Sequence, residues 1–296
     1  MRWEGNRQSD NVEDRRGEGG GMGGGGGFGF GGRSIGIGTI VIALIGGWIF
    51  GINPLTIIGM LSGGGGAPAV QQQQGPAKAP PASDKGASFV STVLASTEDA
   101  WNQVFRENNA QYRAPRLVLF RGYTPTACGT GQSAMGPFYC PGDQKVYLDM
   151  DFFDTLERQL GAPGEFARAY VVAHEVGHHV QNLMGLTDKV DAMRGRVSQS
   201  QQNALSVRLE LQADCFAGIW ANKSNQAKNW LENGDIESAM NAAAKIGDDA
   251  LQKKSQGYVV PDSFTHGSSA QRQRWFMQGY KTGSIQACDT FNAQSL

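Results

Sequence analysis

Two histidines four residues apart restrict the fold of this chain more than any other feature. His174 and His178 lie within residues 165–184, where apolar side chains recur with the period of a helix. Residues i and i+4 of a helix share one face, so both imidazoles can bind the same metal ion. Glu175 points about 100° away and can approach a water molecule at that ion without binding the ion. The H-E-x-x-H spacing therefore predicts a metal site on a helix.

A hydrolytic zinc site needs one more ligand than the two histidines supply. Such sites use three protein ligands and leave a fourth position for water. Residues 205–220 again follow a helical pattern, and they place Glu210 and Asp214 one turn apart on a common face. The apolar run that follows Asp214 indicates that this helix is buried. From the residues alone, either carboxylate can be the third ligand.

The order Glu210-Leu-Gln-Ala-Asp214 resembles that of the zinc peptidases related to thermolysin, in which a glutamate on a second helix completes the metal site. This resemblance implies that Glu210 is the third ligand and that Asp214 hydrogen-bonds His174 and orients its ring. Nearly the whole chain, including Gly136-Pro-Phe-Tyr-Cys-Pro141 and Ser263-Phe-Thr-His-Gly267, is similar to a family of bacterial membrane-anchored neutral zinc metallopeptidases. The resemblance implies Zn²⁺ as the cofactor and a peptidase-like fold.

Zinc peptidases commonly place a hydrogen-bonding group opposite the metal, where negative charge develops on the attacked carbonyl. His266 lies in a loop before a helix capped by Ser268 or Ser269, and we predict it as a second catalytic residue. The alternative is a histidine that only holds the entry to the helix. His179 points away from the face of His178 and is predicted to support the structure. Other candidates for the group opposite the metal are Arg272, Arg274, Tyr123, Tyr147 and Tyr258.

The front of the chain differs in composition from the back. Residues 34–77 carry no charge, and their apolar first part exceeds the about 20 residues that span a bilayer. Arginines precede this stretch, which places the N-terminus in the cytoplasm and the C-terminal part outside it, anchored in the bacterial inner membrane by a single span. A cleaved signal peptide is the alternative. We predict a Gly-rich cytoplasmic tail at 1–33, a transmembrane helix at 34–61, a Gly/Pro/Gln-rich linker at 62–86 and a zinc metallopeptidase domain at 87–296.

Charge and cysteine content narrow the class of partner. A formal net charge of -1 over 296 residues provides no basic field, so nucleic acid is not an expected partner. The 4 cysteines form an even set, as in exported proteins that carry disulfides. Cys128 and Cys140 would close a short loop suited to a disulfide, but the spacing leaves the pairing open.

The remaining patterns predict an α+β domain that is mostly helical and zincin-like, behind the single N-terminal transmembrane helix. Strand 145–149 is a candidate sheet edge for an extended peptide, whereas Asp248 and Asp249 are expected on a solvated helix surface. Helices are expected from about 87 to before Pro115 and at 165–184, 198–222, 235–254 and 268–279, with strands at 116–120 and 145–149.

These features predict a membrane-anchored zinc endopeptidase that acts on a protein or peptide substrate. Two alternatives stay open: a zinc hydrolase of another amide, such as a cell-wall peptide bridge, and a catalytically silent zinc-binding scaffold of the envelope. Glu175 favours an enzyme, because a purely structural zinc site has no need of a carboxylate beside the metal. The sequence leaves the oligomeric state open.

Overall fold

The computed structural model of the protein describes residues 1–18, 78–132 and 136–296. These residues form the α+β, mostly helical fold that the sequence predicts. The predicted transmembrane helix at 34–61 and most of the predicted linker at 62–86 lie outside the described residues. Among the residues that are described, no helix combines the length and the apolar composition needed to cross a bilayer.

A small sheet and a larger set of helices make up the domain. The strands are β1 (Val12–Asp14), β2 (Arg116–Phe120), β3 (Tyr123–Thr126), β4 (Gly129–Gln132), β5 (Phe138–Cys140) and β6 (Lys145–Asp149). The α-helices are α1 (Lys85–Glu107), α2 (Asp151–Asp154), α3 (Glu165–Leu183), α4 (Leu186–Asp191), α5 (Gln199–Lys228), α6 (Asp235–Lys245), α7 (Asp248–Gln256) and α8 (Ser269–Thr282). A π-helical turn (Thr155–Gln159) follows α2, and short 3₁₀ helices lie at Pro261–Ser263 and Ile285–Cys288.

The main sheet has four strands in the order β1-β2-β6-β5. Strands β1, β2 and β6 are parallel, and β5 is antiparallel to β6. The prediction that Lys145–Asp149 is an edge strand is wrong, because β5 pairs with its outer side. β5 comes from a Gly/Pro/Cys-rich segment that shows no strand pattern in the sequence. A separate hairpin pairs β3 with β4.

The other edge of the sheet is formed by the start of the chain. Val12 pairs with Leu117 of β2, and both residues are buried. Residues 1–18 therefore belong to the folded domain, which differs from the predicted division into a tail at 1–33 and a domain that begins at 87. The strand is only three residues long and carries two acidic residues, so no apolar alternation marks it in the sequence. Helix α1 begins at Lys85, where the side chain of Asp84 caps it.

Caps fix the limits of the helices that carry the functional residues. Helix α3 ends just before Gly185, which adopts a left-handed conformation with φ of 69°. Helix α5 starts after Ser198, whose capping box with Gln201 agrees with the predicted start. It continues for 30 residues and ends later than predicted, at left-handed Asn229. Ser268 caps α8, which resolves the choice between Ser268 and Ser269.

The helix predicted at 235–254 is two helices, α6 and α7, with a break at Gly247. A Cβ atom at Gly247 would lie 2.5 Å from the backbone nitrogen of Ser269, so only glycine fits where this break meets the start of α8. The break turns Asp248 inward, where it is 4% exposed. The prediction that Asp248 is solvated is therefore wrong. It rests on a continuous helix over 235–254, whereas the chain changes direction just before Asp248.

Small residues let the functional helices pack closely. A Cβ atom on Gly177 of α3 would lie 3.0 Å from the carbonyl oxygen of Ala213 on α5, so the two helices are in backbone contact. Between α5 and α8, Cβ atoms on Gly218 and Gly279 would overlap backbone atoms of the opposite helix. Close contact of α3 with α5 brings the H-E-x-x-H face against the face that carries Glu210.

The four cysteines form two disulfides, Cys128–Cys140 and Cys215–Cys288. The first closes the loop that the sequence indicates as suitable. The second links α5 to the 3₁₀ helix near the end of the chain, and both of its cysteines are fully buried. This second disulfide holds the C-terminal segment against the helix that carries Glu210.

Candidate metal centre

His174 and His178 of α3 and Glu210 of α5 come together in one cluster. Each offers one ligand atom, and these atoms lie within 4.8 Å of one another. The Nε2 atom of His174 is 3.2 Å from one oxygen of Glu210, and the Nε2 atom of His178 is 3.4 Å from the other. Two imidazoles and a glutamate are a ligand set used by catalytic zinc sites, so the donor chemistry fits Zn²⁺.

Hydrogen bonds to the outer ring nitrogens set the tautomer of both histidines. The Nδ1 atom of His174 donates to Asp214 over 2.9 Å. The Nδ1 atom of His178 lies 2.9 Å from the side-chain oxygen of Gln181, whose amide nitrogen donates to the carbonyl of Leu209. Both oxygens accept, so each ring carries its proton on Nδ1. In the neutral form of each ring, Nε2 is then left with the lone pair that a metal ligand requires.

Asp214 is fully buried, and its carboxylate has three side-chain partners: the ring of His174, the hydroxyl of Tyr170 and the guanidinium of Arg272. Arg272 donates to both carboxylate oxygens, over 2.8 and 2.9 Å. Burial opposes ionisation of Asp214, but Arg272 and His174 outweigh it and hold its pKa below the usual value. The carboxylate is thus charged, and it holds the hydrogen bond to His174 that the resemblance implies.

The cluster favours a positive charge between its carboxylates. Burial opposes protonation of His174, but Asp214 and Glu210 outweigh it and raise the pKa of His174 to about 10. Burial likewise opposes ionisation of Glu210, yet the histidines His178, His266 and His174 hold its pKa well below the usual value. A divalent ion can supply the same positive charge in place of the proton, because metal ions bind the deprotonated forms of these ligands.

Glu175 stands next to His174 on α3 but is not one of the three ligands. It is 8% exposed, and burial raises the pKa of its carboxyl although His178 and His174 oppose the rise. A carboxylate whose pKa is raised towards neutrality accepts a proton from water more readily. Its position and its environment suit the general base that the sequence predicts.

His266 is held in its loop by Asp248, the first residue of α7. One oxygen of Asp248 lies 3.2 Å from Nδ1 of His266, and the other accepts the backbone N–H groups of Thr265, His266 and Gly267 over 2.7 to 3.0 Å. Burial lowers the pKa of His266, but Glu210 and Asp248 outweigh it, so the net direction is a rise. Among the causes that raise this pKa, the negative charge of Glu210, one of the clustered ligands, contributes most.

The other candidates opposite the metal have different partners. Arg272 binds Asp214, and Arg274 donates to Ser295 and to the carbonyl of Leu296. The hydroxyl of Tyr147 donates to Asp143, while Tyr123 and Tyr258 are exposed large side chains.

His179 supports the structure, as predicted. Its Nε2 atom donates to the carbonyl of Arg113, and its Nδ1 atom lies 3.0 Å from the hydroxyl of Tyr139 on β5. Burial lowers the pKa of His179 to about 4, so the ring is neutral. The polar residue after the motif thereby ties α3 to the edge of the sheet.

The sequence does not predict the residues that hydrogen-bond the site histidines and Asp214 in the structure. These residues are Tyr170, Gln181, Asp248 and Arg272. Tyr170 and Gln181 had a local signal, because they lie four residues before His174 and three after His178 on the same helix. Asp248 and Arg272 had none, since each meets its partner through the packing of separate helices.

The fold and the cluster define a class: an α+β domain with zinc-peptidase ligands on two adjacent helices. The chain belongs to the family described as "Putative neutral zinc metallopeptidase", which matches residues 1–291. This confirms the family that the sequence motifs indicate.

The relatives extend the match over most of the chain. The protein YpfJ of Escherichia coli K12 is 49% identical over 292 residues, which cover 98% of this chain and 99% of YpfJ. Rv2575 of Mycobacterium tuberculosis H37Rv and Mb2605 of Mycobacterium bovis are each 44% identical over 220 residues, which cover 70% of this chain and 73% of theirs. No solved structure matches the chain. The names of these relatives state no reaction, so the comparisons give the family and not the substrate.

Proposed function

We propose that this protein is a zinc-dependent endopeptidase that hydrolyses peptide bonds in proteins or peptides. The observation that carries the proposal is the cluster of His174, His178 and Glu210, with Glu175 buried beside it. A binding or structural zinc site would need the first three residues but not the fourth. Zn²⁺ held by the three ligands would supply the Lewis acidity that polarises a carbonyl and lowers the pKa of water.

Within this proposal, Glu175 moves the proton. Its carboxylate takes a proton from the attacking water molecule as the new carbon–oxygen bond forms. It then returns that proton to the nitrogen of the leaving amine when the carbon–nitrogen bond breaks. Burial of Glu175 favours its protonated form and therefore helps it to hold the proton between the two steps.

His266 would stabilise the negative charge that develops on the carbonyl oxygen. Asp248 fixes the ring through Nδ1, and Glu210 and Asp248 favour the protonated imidazolium. A fixed cationic donor stabilises an oxyanion more strongly than mobile water does.

We also propose that the metal domain works outside the cytoplasm, attached to the bacterial inner membrane. The two disulfides support an oxidising compartment. The uncharged stretch at 34–61 supports membrane attachment by its composition.

Purified full-length protein should contain about one zinc ion per chain and should cleave unfolded protein or a peptide library. Mass spectrometry of the products would locate the cleaved bonds. Removal of the metal with a chelator should stop cleavage, and added Zn²⁺ should restore it. Bound zinc without cleavage of any peptide would contradict the proposal and support the silent scaffold.

Replacing His266 with alanine should lower kcat by about 10²- to 10³-fold with little change in zinc content, because it removes a donor to the oxyanion and no metal ligand. The control is Asp262→Asn, a polar change at an exposed position of the same loop. Steady-state kinetics and zinc analysis of both variants check the prediction. An unchanged kcat in His266→Ala would show that His266 only holds the loop.

A further inference from the structure

The first eighteen residues are built into the metal domain by backbone hydrogen bonds. In β1, Val12, Glu13 and Asp14 pair in parallel with residues 117–119 of β2. The ladder continues at both ends, because Leu117 donates to the carbonyl of Asn11 and Arg15 donates to the carbonyl of Leu119, both over 2.8 Å. The start of the chain is thus one strand of the main sheet.

Helix α1 of the domain depends on the same segment. Glu98 of α1 is 7% exposed, and three side chains of the segment donate to its carboxylate. Ser9 donates over 2.5 Å, Asn11 over 2.8 Å and Arg7 over 2.9 Å. Without the segment, this carboxylate would be a buried charge without these partners, which is strongly unfavourable.

A second buried acid belongs to the segment itself and is bound by cations of the domain. Glu13 of β1 is 3% exposed and accepts hydrogen bonds from Arg116 of β2 and Lys145 of β6, over 2.9 to 3.2 Å. Burial opposes ionisation of Glu13, but Arg116, Lys145 and Arg15 outweigh it and lower its pKa. The segment therefore provides a cation for a buried acid of the domain, and the domain provides cations for a buried acid of the segment.

The two ends of the intervening chain are also held together. The backbone N–H of Asp14 donates to the carbonyl of Lys78 over 2.6 Å. Arg16 binds Asp14 and Asp84, the residue that caps α1, with distances of 2.6 Å. The described residues on either side of the gap, 14–18 and 78–84, therefore lie next to each other.

From these contacts we propose that residues 1–18 and 78–296 lie in the same compartment, on one side of the membrane. Hydrogen bonds of about 3 Å cannot form across a hydrocarbon layer about 30 Å thick. A single crossing of the membrane between residue 18 and residue 78 is then excluded. This differs from the predicted single span with a cytoplasmic N-terminus, and it does not depend on the reaction proposed above.

Single cysteines can test the compartment directly in the full-length protein. All four native cysteines are in disulfides, so they provide little background for a thiol reagent. Gln8→Cys and Gln278→Cys place the same new side chain at exposed positions in the segment and in the domain. Intact cells that express either variant are treated with a membrane-impermeant maleimide, and total labelling is measured after lysis in denaturant.

The proposal expects that the fraction labelled before lysis is the same for Gln8→Cys and Gln278→Cys on the full-length chain. A high fraction in both places the segment and the domain outside the cytoplasm, and a fraction near zero in both places them inside it. A cytoplasmic thiol protein that stays unlabelled before lysis shows that the cells are intact. Labelling of Gln278→Cys without labelling of Gln8→Cys would restore the single-span topology and overturn the proposal. Loss of the segment from the mature chain, seen as a shorter chain that no longer carries the label of Gln8→Cys, would also overturn it.

Discussion

Glu175→Gln is expected to reduce kcat by about 10²- to 10⁴-fold while zinc stays bound. Glutamine keeps the shape of the buried side chain but cannot take a proton from water. Since Glu175 is not one of the three clustered ligands, the metal affinity should hardly change. The fold should also be kept, because the substitution removes a carboxyl whose ionisation is already opposed by burial.

The matched control for this experiment is Glu165→Gln, the same chemical change on the same helix at a side chain that is 50% exposed. Its kcat, zinc content and thermal unfolding should match those of the unchanged protein. Parallel measurements on Glu175→Gln separate loss of catalysis from loss of metal or of fold. Full activity in Glu175→Gln would rule out the proton transfer proposed for this residue.

Glu210→Ala is expected to remove the metal and, with it, all activity. A residue that only supports a ligand changes zinc affinity by about 10- to 100-fold, and loss of a ligand itself should exceed that range. The two histidines would remain as a pair with no third ligand from α5. Competition with a zinc chelator of known affinity measures the change, and circular dichroism shows whether the helices remain.

Gln226→Ala is a suitable comparison, because it alters an exposed position on α5 far along the helix from Glu210. It should bind zinc as tightly as the unchanged chain. Unchanged zinc affinity in Glu210→Ala would show that another group closes the site. Asp214 is poorly placed for that role, since both of its oxygens already accept hydrogen bonds from Arg272.

Local patterns in the sequence predict much of the site and most of the helices. The four-residue spacing of His174 and His178 predicts a helix, and the predicted starts of α5 and α8 coincide with the residues that cap them, Ser198 and Ser268. Each of these signals lies within a few residues of the feature that it predicts. That Glu210 lies beside the two histidines follows only from the resemblance. Its physical basis is the backbone contact between α3 and α5 at Gly177.

The features that sequence reasoning missed depend on contacts between distant parts of the chain. Asp248 becomes buried only because the chain breaks at Gly247 and packs against the start of α8. β1 has no strand pattern of its own, since its ladder with β2 and its ion pairs define it. β5 is likewise recognised by its partner β6 and not by its composition. Single-sequence patterns carry no information about such partners.

The order of the strands has a consequence for how the domain is made. Glu13 and its partner Arg116 stand 103 positions apart, so β1 leaves the ribosome well before β2 and cannot pair until β2 has also been synthesised. After β2 has been synthesised, its outer edge exposes unpaired backbone groups until β1 pairs with it, and such groups are prone to pair with other chains. Closing so long a loop is also entropically costly, and folds rich in such distant pairings form slowly. In the nascent chain, β1 must therefore stay accessible and unpaired until β2 can pair with it.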